Sequence, residues 1–153
     1  MEAYLDFLTE LGALFTQLTD LEREKMTAVQ AGDLDQLNSC IRREQALSLS
    51  LRGMDRKRET MLEELGMTGV NLRQLPDRCP PQLQARAQAV TEDLRRRYEV
   101  LNSSRESART MLECNLHKLE RQLEELGAPQ DLEPGYQPAQ ADLPPGMRTD
   151  FHA

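Results

Sequence analysis

Tryptophan is absent from this 153-residue chain, and phenylalanine and tyrosine number only three each. So few aromatics exclude a thick globular core and suit a thin, elongated one. No apolar run approaches the roughly 18 residues that cross a bilayer, which excludes membrane insertion. The start, Met1-Glu2-Ala3-Tyr4-Leu5-Asp6, lacks a basic leader ahead of an apolar stretch, so a cytoplasmic protein is expected. Cysteine is scarce and odd in number: Cys40, Cys79 and Cys114 match neither a disulfide framework nor paired zinc-ligand spacing, and read as reduced thiols.

An excess of basic charge is missing too. The net charge is −7, with six acidic and two basic residues over 1–31, sixteen of each over 32–126, and four acidic to one basic over 127–153. Only Arg56-Lys57-Arg58 and Arg95-Arg96-Arg97 could start a phosphate-binding face, and both lie beside acids such as Asp55, Glu59, Asp93 and Glu99. They read as solvated helix faces, and nucleic acid is not an expected partner. Phosphate loops and glycine fingerprints do not occur. Cys114 and His117 stand three apart, but two residues do not complete a zinc site, and a helical Cys beside a leucine seam reads as core. Glu63-Glu64 and Glu124-Glu125 read as surface pairs without a second group to tune them. No enzyme activity, cofactor or metal is expected.

What the chain has in quantity is leucine at helical spacing. Phe7-Leu11-Leu14-Leu18-Leu21, continuing to Ala28, steps by fours and threes, as one buried helix face requires. Tyr4, Leu8 and Phe15 widen that face, and the first helix is predicted over about residues 3 to 30. Gly12 within it is read as a point of close packing rather than a break. Ala31-Gly32-Asp33 joins a glycine that ends one helix to an aspartate that caps the next, which predicts an antiparallel hairpin. The second helix, about 33 to 65, carries Leu34-Leu37-Ile41, Leu47-Leu51-Met54 and Met61-Leu62-Leu65. Counting by threes and fours puts Glu44 and Arg58 on the same face. Either their stems extend past the seam, or they form a register-setting pair of polar positions that meet polar groups on a neighbouring helix.

Residues 66 to 81 hold Pro76, Pro80 and Pro81 and predict a linker, with one short helical turn at Val70 to Leu75 whose Leu72 and Leu75 cover the end of the helices. The third helix restarts near Pro81 and is predicted to reach about Leu126. Its late part carries Leu112, Leu116, Leu119, Leu123 and Leu126, too far along to be covered by the first helix, so this seam must find its own bundle, a second copy or another protein. Asn102, Ser103, Ser104, Ser107, Ala108 and Thr110 precede it as a small, polar stretch. After Gly127 five prolines and few apolar residues predict a disordered tail with one tyrosine, Tyr136. The expected fold is all-α: an elongated, coiled-coil-like antiparallel bundle of three long helices over 1–126, with a short helical linker and a tail over 127–153.

Ala31-Gly32-Asp33-Leu34-Asp35-Gln36-Leu37, Glu44-Gln45-Ala46-Leu47 and Arg58-Glu59-Thr60-Met61-Leu62-Glu63-Glu64-Leu65-Gly66 resemble the FlgN family of flagellar export chaperones. Leu101-Asn102-Ser103-Ser104-Arg105 leading to Met111-Leu112 and Leu116 is similar to that family's Asn-rich turn before a leucine seam, with Arg105 where the family often repeats an Asn. The resemblance implies a cytoplasmic chaperone that holds hook-associated proteins of FlgK and FlgL type for the type III export gate. It implies Leu112, Leu116, Leu119, Leu123 and Leu126 as a client groove and Tyr136 as a contact to the export gate component. A structural coiled coil or adaptor that self-associates, for instance as a homodimer, is the alternative.

Overall fold

The computed structural model describes residues 1–127; the tail from Ala128 onward, with Tyr136 and the disorder expected there, lies outside the described residues. Every regular element among the described residues is helical: α1 (Glu2–Ala31), α2 (Leu34–Glu64), α3 (Leu75–Arg78) and α4 (Pro81–Glu125). Gly32 ends α1 at φ 68°, a left-handed conformation that costs a glycine little, and its N–H closes on Val29. The Asp33 carboxylate then accepts from the Gln36 N–H and starts α2 after a single intervening turn. Both boundary residues therefore do what their types suggest.

The short helix is displaced from its expected place. Instead of Val70 to Leu75 it forms at Leu75–Arg78, because the Asn71 side chain accepts the Gln74 N–H and holds the preceding residues as a turn. Pro76 then falls in the first turn of α3, where a missing N–H is tolerated. Leu72 and Leu75 are both buried with Met67 and Cys79 at the linker end of the core.

α1 is the hub, packing along both α2 and α4. Two of its faces share the work. On one, the Lys57 ammonium lies over the Phe7 ring and Lys25 meets Glu44, so α2 runs back along α1. On the other, Asp6 pairs with Arg86, Phe15 packs against Tyr98 at 5.6 Å between ring centroids, and Glu22 faces Arg105, so α4 runs in the same direction as α1. The core along these faces is Tyr4, Leu5, Phe7, Leu8, Leu11, Phe15 and Leu18 with Leu51, Leu62, Leu94, Tyr98 and Leu101. At 1.5 Å per residue α1 is about 45 Å long and α4 about 68 Å. Continuing the pairings places the end of α1 roughly level with Cys114, which leaves the last turns of α4 extending about 16 Å further.

Gly12 shows why α4 approaches closely. A Cβ built there would sit 3.3 Å from Arg97 Cδ and 3.6 Å from Leu94 Cδ1. The Arg97 stem is held in place by its bonds to Asp93 Oδ2 at 2.7 Å and Thr16 Oγ1 at 2.7 Å. Gly12→Leu is expected to lower unfolding free energy by about 2 kcal/mol through overpacking. Gly12→Ala should change it far less, since about 1 kcal/mol of helix propensity offsets the tight contact. Urea melts of both variants measure the difference.

Candidate functional site

Three charged residues occupy positions where the leucine steps would place apolar ones. The step of four after Leu21 lands on Lys25, the step of four after Leu101 lands on Arg105, and Glu44 interrupts the seam of α2. α1, α2 and α4 bring them to one level. Lys25 Nζ lies 2.8 Å from Glu22 Oε2 and 2.8 Å from Glu44 Oε2, and Glu22 Oε1 lies 3.7 Å from Arg105 Nε. Glu22, Lys25 and Glu44 are all buried, and two carboxylates against two cations leave the cluster neutral.

The electrostatics follow from that burial. Burial pushes the Glu22 carboxyl above its ordinary 4.5; the Lys25 hydrogen bond and charge pull it down, and the neighbouring Glu44 charge adds to the rise. For Lys25 burial alone lowers the value, but the bonds to Glu22 and Glu44 and their charges outweigh it, and the ammonium is held above 10.5. Sequence reasoning reached only Glu44 in this cluster. The signal for the others was the skipped step in each seam.

Arg58, the second polar position expected on α2, is also buried, and its Nε reaches Asp55 Oδ1 on the same helix at 3.4 Å. Glu44 and Arg58 thus serve different levels of α2 and meet different partners. Asp55 was not foreseen as a buried group.

Leu34 and Leu49 of α2 are exposed singly, whereas the leucine seam of α4 leaves apolar surface open along one face. Leu112 and Leu123 are half-buried, while Leu116 is 46%, Leu119 56% and Leu126 81% exposed. Leu126 stands just past the last residue of α4 as its cap. Past Leu101 the only α4 residue fully removed from solvent is Ala108. Cys114 is exposed, which corrects the expectation that it belongs to the core: two residues on from Leu112, it lies about 200° round α4 and so on the side away from the leucine seam. His117 is exposed beside Glu120, and among the described residues no group of three His, Cys, Asp or Glu side chains is arranged to hold a metal ion. Cys40 and Cys79 are buried, and burial pushes both thiols up, with Glu24 adding to the rise at Cys40. No helix among the described residues is long and apolar enough to cross a membrane.

These features define an elongated helical protein whose distinguishing surface is an apolar face on an overhanging helix. The family model described as FlgN protein matches residues 1–142, and the chain belongs to that family, the flagellar export chaperones. No curated protein and no solved structure matches the chain.

The cluster makes stability depend on pH in a defined direction. Lys25 has a folded pKa raised above 10.5, so its contribution is fully present below that value and is lost as pH rises through the higher folded one. Glu22, also raised, contributes in the opposite range: the folded state holds its proton more tightly, and that advantage is lost as pH rises past 4.5. Lys25→Met leaves two buried carboxylates facing one distant guanidinium and is expected to cost about 3 kcal/mol at pH 7. The variant should also lack the wild type's extra loss of stability above pH 10.5, measured by urea unfolding at a series of alkaline pH values.

Proposed function

We propose that this chain is a cytoplasmic export chaperone that holds the terminal amphipathic segments of hook-associated proteins of FlgK and FlgL type and delivers them to the export gate. The observation that carries the reading is the exposure of Leu116, Leu119 and Leu126 in one line on a helix that outruns its neighbours. Membership of the flagellar export chaperone family supplies the class of client. In this reading the elongated three-helix bundle is a rigid base, and Leu112, Leu116, Leu119, Leu123 and Leu126 form the groove. Client ends that are unfolded until assembly gain an apolar partner there and are kept from associating early. Glu44 sets the register of α2 on α1 through Lys25, and Arg58 neutralises the buried Asp55. Tyr136 is the residue of the tail proposed to contact the gate.

The test is calorimetric titration with the C-terminal segment of a hook-associated protein from the same organism. One-to-one binding with a negative heat-capacity change is the expected signature of an apolar groove. Covering one leucine is worth about 2 kcal/mol, so Leu116→Ala should weaken binding about thirtyfold. Leu116→Asp, which also places a charge in the contact, should abolish binding at micromolar concentrations while circular dichroism stays unchanged. Loss of helicity would assign Leu116 to the protein's own packing. A tight oligomer that ignores the client segment would favour the self-associating coiled coil instead. Tyr136→Ala is expected to leave client binding intact and to reduce secretion of the client; unchanged secretion would remove Tyr136 from the gate contact.

A further inference from the structure

The buried cluster holds its helices unequally. Between α1 and α2 the contact is short, with Lys25 Nζ 2.8 Å from Glu44 and also 2.8 Å from Glu22 on its own helix. Between α1 and α4 it is long and incomplete. Arg105 Nε is 3.7 Å from Glu22 Oε1, and Arg105 Nε and Nη2 are both buried without a hydrogen-bond partner among the described residues. Glu22 presents its better-placed oxygen to Lys25 and only the other to Arg105.

Beyond this point little else among the described residues ties α4 down. Residues on the cluster's near side, Ala87, Thr91, Leu94, Tyr98 and Leu101, are buried; on the far side only Ala108 is. The side-chain contacts further along, Arg109 with Glu113 and His117 beside Glu120, stay within α4. The segment at the boundary is Asn102-Ser103-Ser104, and Ser107 Oγ donates back to the Ser103 carbonyl at 2.9 Å, a bond that loosens and bends helices.

We propose that Arg105 is a latch: its contact with Glu22 docks the distal part of α4, residues 106–125, onto the α1–α2 hairpin, and its release lets that part leave as one unit. Release extends the apolar seam from Leu112 back to the buried Ala108. The unpaired guanidinium N–H groups cost the docked state part of what the contact with Glu22 supplies. The proximal part of α4 stays in place in both, anchored through Leu94, Tyr98 and Leu101. This device depends on the contacts of α1 with α4 and stands whatever partner covers the seam.

Hydrogen exchange of the full chain, resolved by segment, tests it. A released helix of about 20 residues is only marginally stable alone, so its amides should exchange faster. Arg105→Met is expected to accelerate exchange over 106–125 about tenfold or more, leaving α1 and residues 84–101 unchanged, and Arg105→Lys should restore most of the protection. Arg105→Gln removes the charge but keeps a polar side chain at the position and should give the same local pattern, which covers the case in which Arg105→Met fails to fold. A spin label on the exposed Cys114 and a second on Asn38→Cys of α2 should show one narrow distance in the parent and a broader, longer distribution with Arg105→Met. Unchanged exchange over 106–125, or equal acceleration throughout α1 and α4, would overturn the latch.

Discussion

The buried ammonium of Lys25 is the constraint on which the arrangement of helices turns. A charge removed from water is tolerable only where opposite charges meet it at hydrogen-bonding distance, and Glu22 and Glu44 do so from two different helices. Sliding α2 by one turn along α1 would carry Glu44 about 5 Å away and leave Lys25 with Glu22 as its one close carboxylate. The leucines on either side of this level would tolerate such a shift, since one leucine in a seam packs much like the next. In the proposed reading the polar layer gives specific placement, and the apolar layers give bulk stabilisation.

That division gives the molecule two unlike halves. Toward the chain's start and the linker, the core holds Tyr4, Phe7, Phe15 and Tyr98, with Met67, Leu72 and Leu75 closing the end. Toward the far end the buried groups are small, Ala28 and Ala108 with Cys40, and Leu116 and Leu119 of α4 face outward. A wide, aromatic core resists local opening because each side chain contributes heavily to burial, whereas a layer of alanines contributes little. The same helix α4 is thus a structural element over its first half and a surface over its second.

Much of this was legible in the sequence for physical reasons that can be named. The three-and-four steps of α1 and α4, the Gly32 stop and the Asp33 cap depend on local geometry, which a sequence carries directly. The overhang followed from length alone, since a helix of 45 residues outruns one of 30. The cluster was less visible because its members are far apart in the chain. A lysine or arginine at a seam position looks the same whether its stem snorkels or its head is buried against a partner on another helix. Arg105 illustrates the point: as a departure from the family's Asn it carried no meaning until Glu22 was seen across from it. The shift of α3 to Leu75–Arg78 had a different origin, the side-chain turn at Asn71, a local bond that apolar spacing does not register. Cys114 was misread because leucines precede and follow it in the chain, whereas a position two residues on from Leu112 falls on the opposite side of the helix.

Long helices that project from a small core present a thermodynamic problem whose solution explains the unequal lengths. An isolated segment of the sequence over 106–125 would be barely helical, because nucleation is costly and few residues follow to recover it. Joined to a docked first half, the same segment extends a helix already nucleated, so its leucines are aligned before anything binds. A partner meeting that seam orders only itself, and the ordering cost that usually erodes affinity for flexible surfaces falls on one side of the contact rather than both. The exposed leucines are tolerated in turn because they belong to a helix that protrudes: spread along one narrow line and flanked by Glu113, Lys118, Glu120 and Arg121, they do not merge into a broad patch. The anchoring of α4 by Leu94, Tyr98 and Leu101 and the openness of Leu116 and Leu119 are therefore parts of one design, in which the first half of the helix supplies the order that the second half presents.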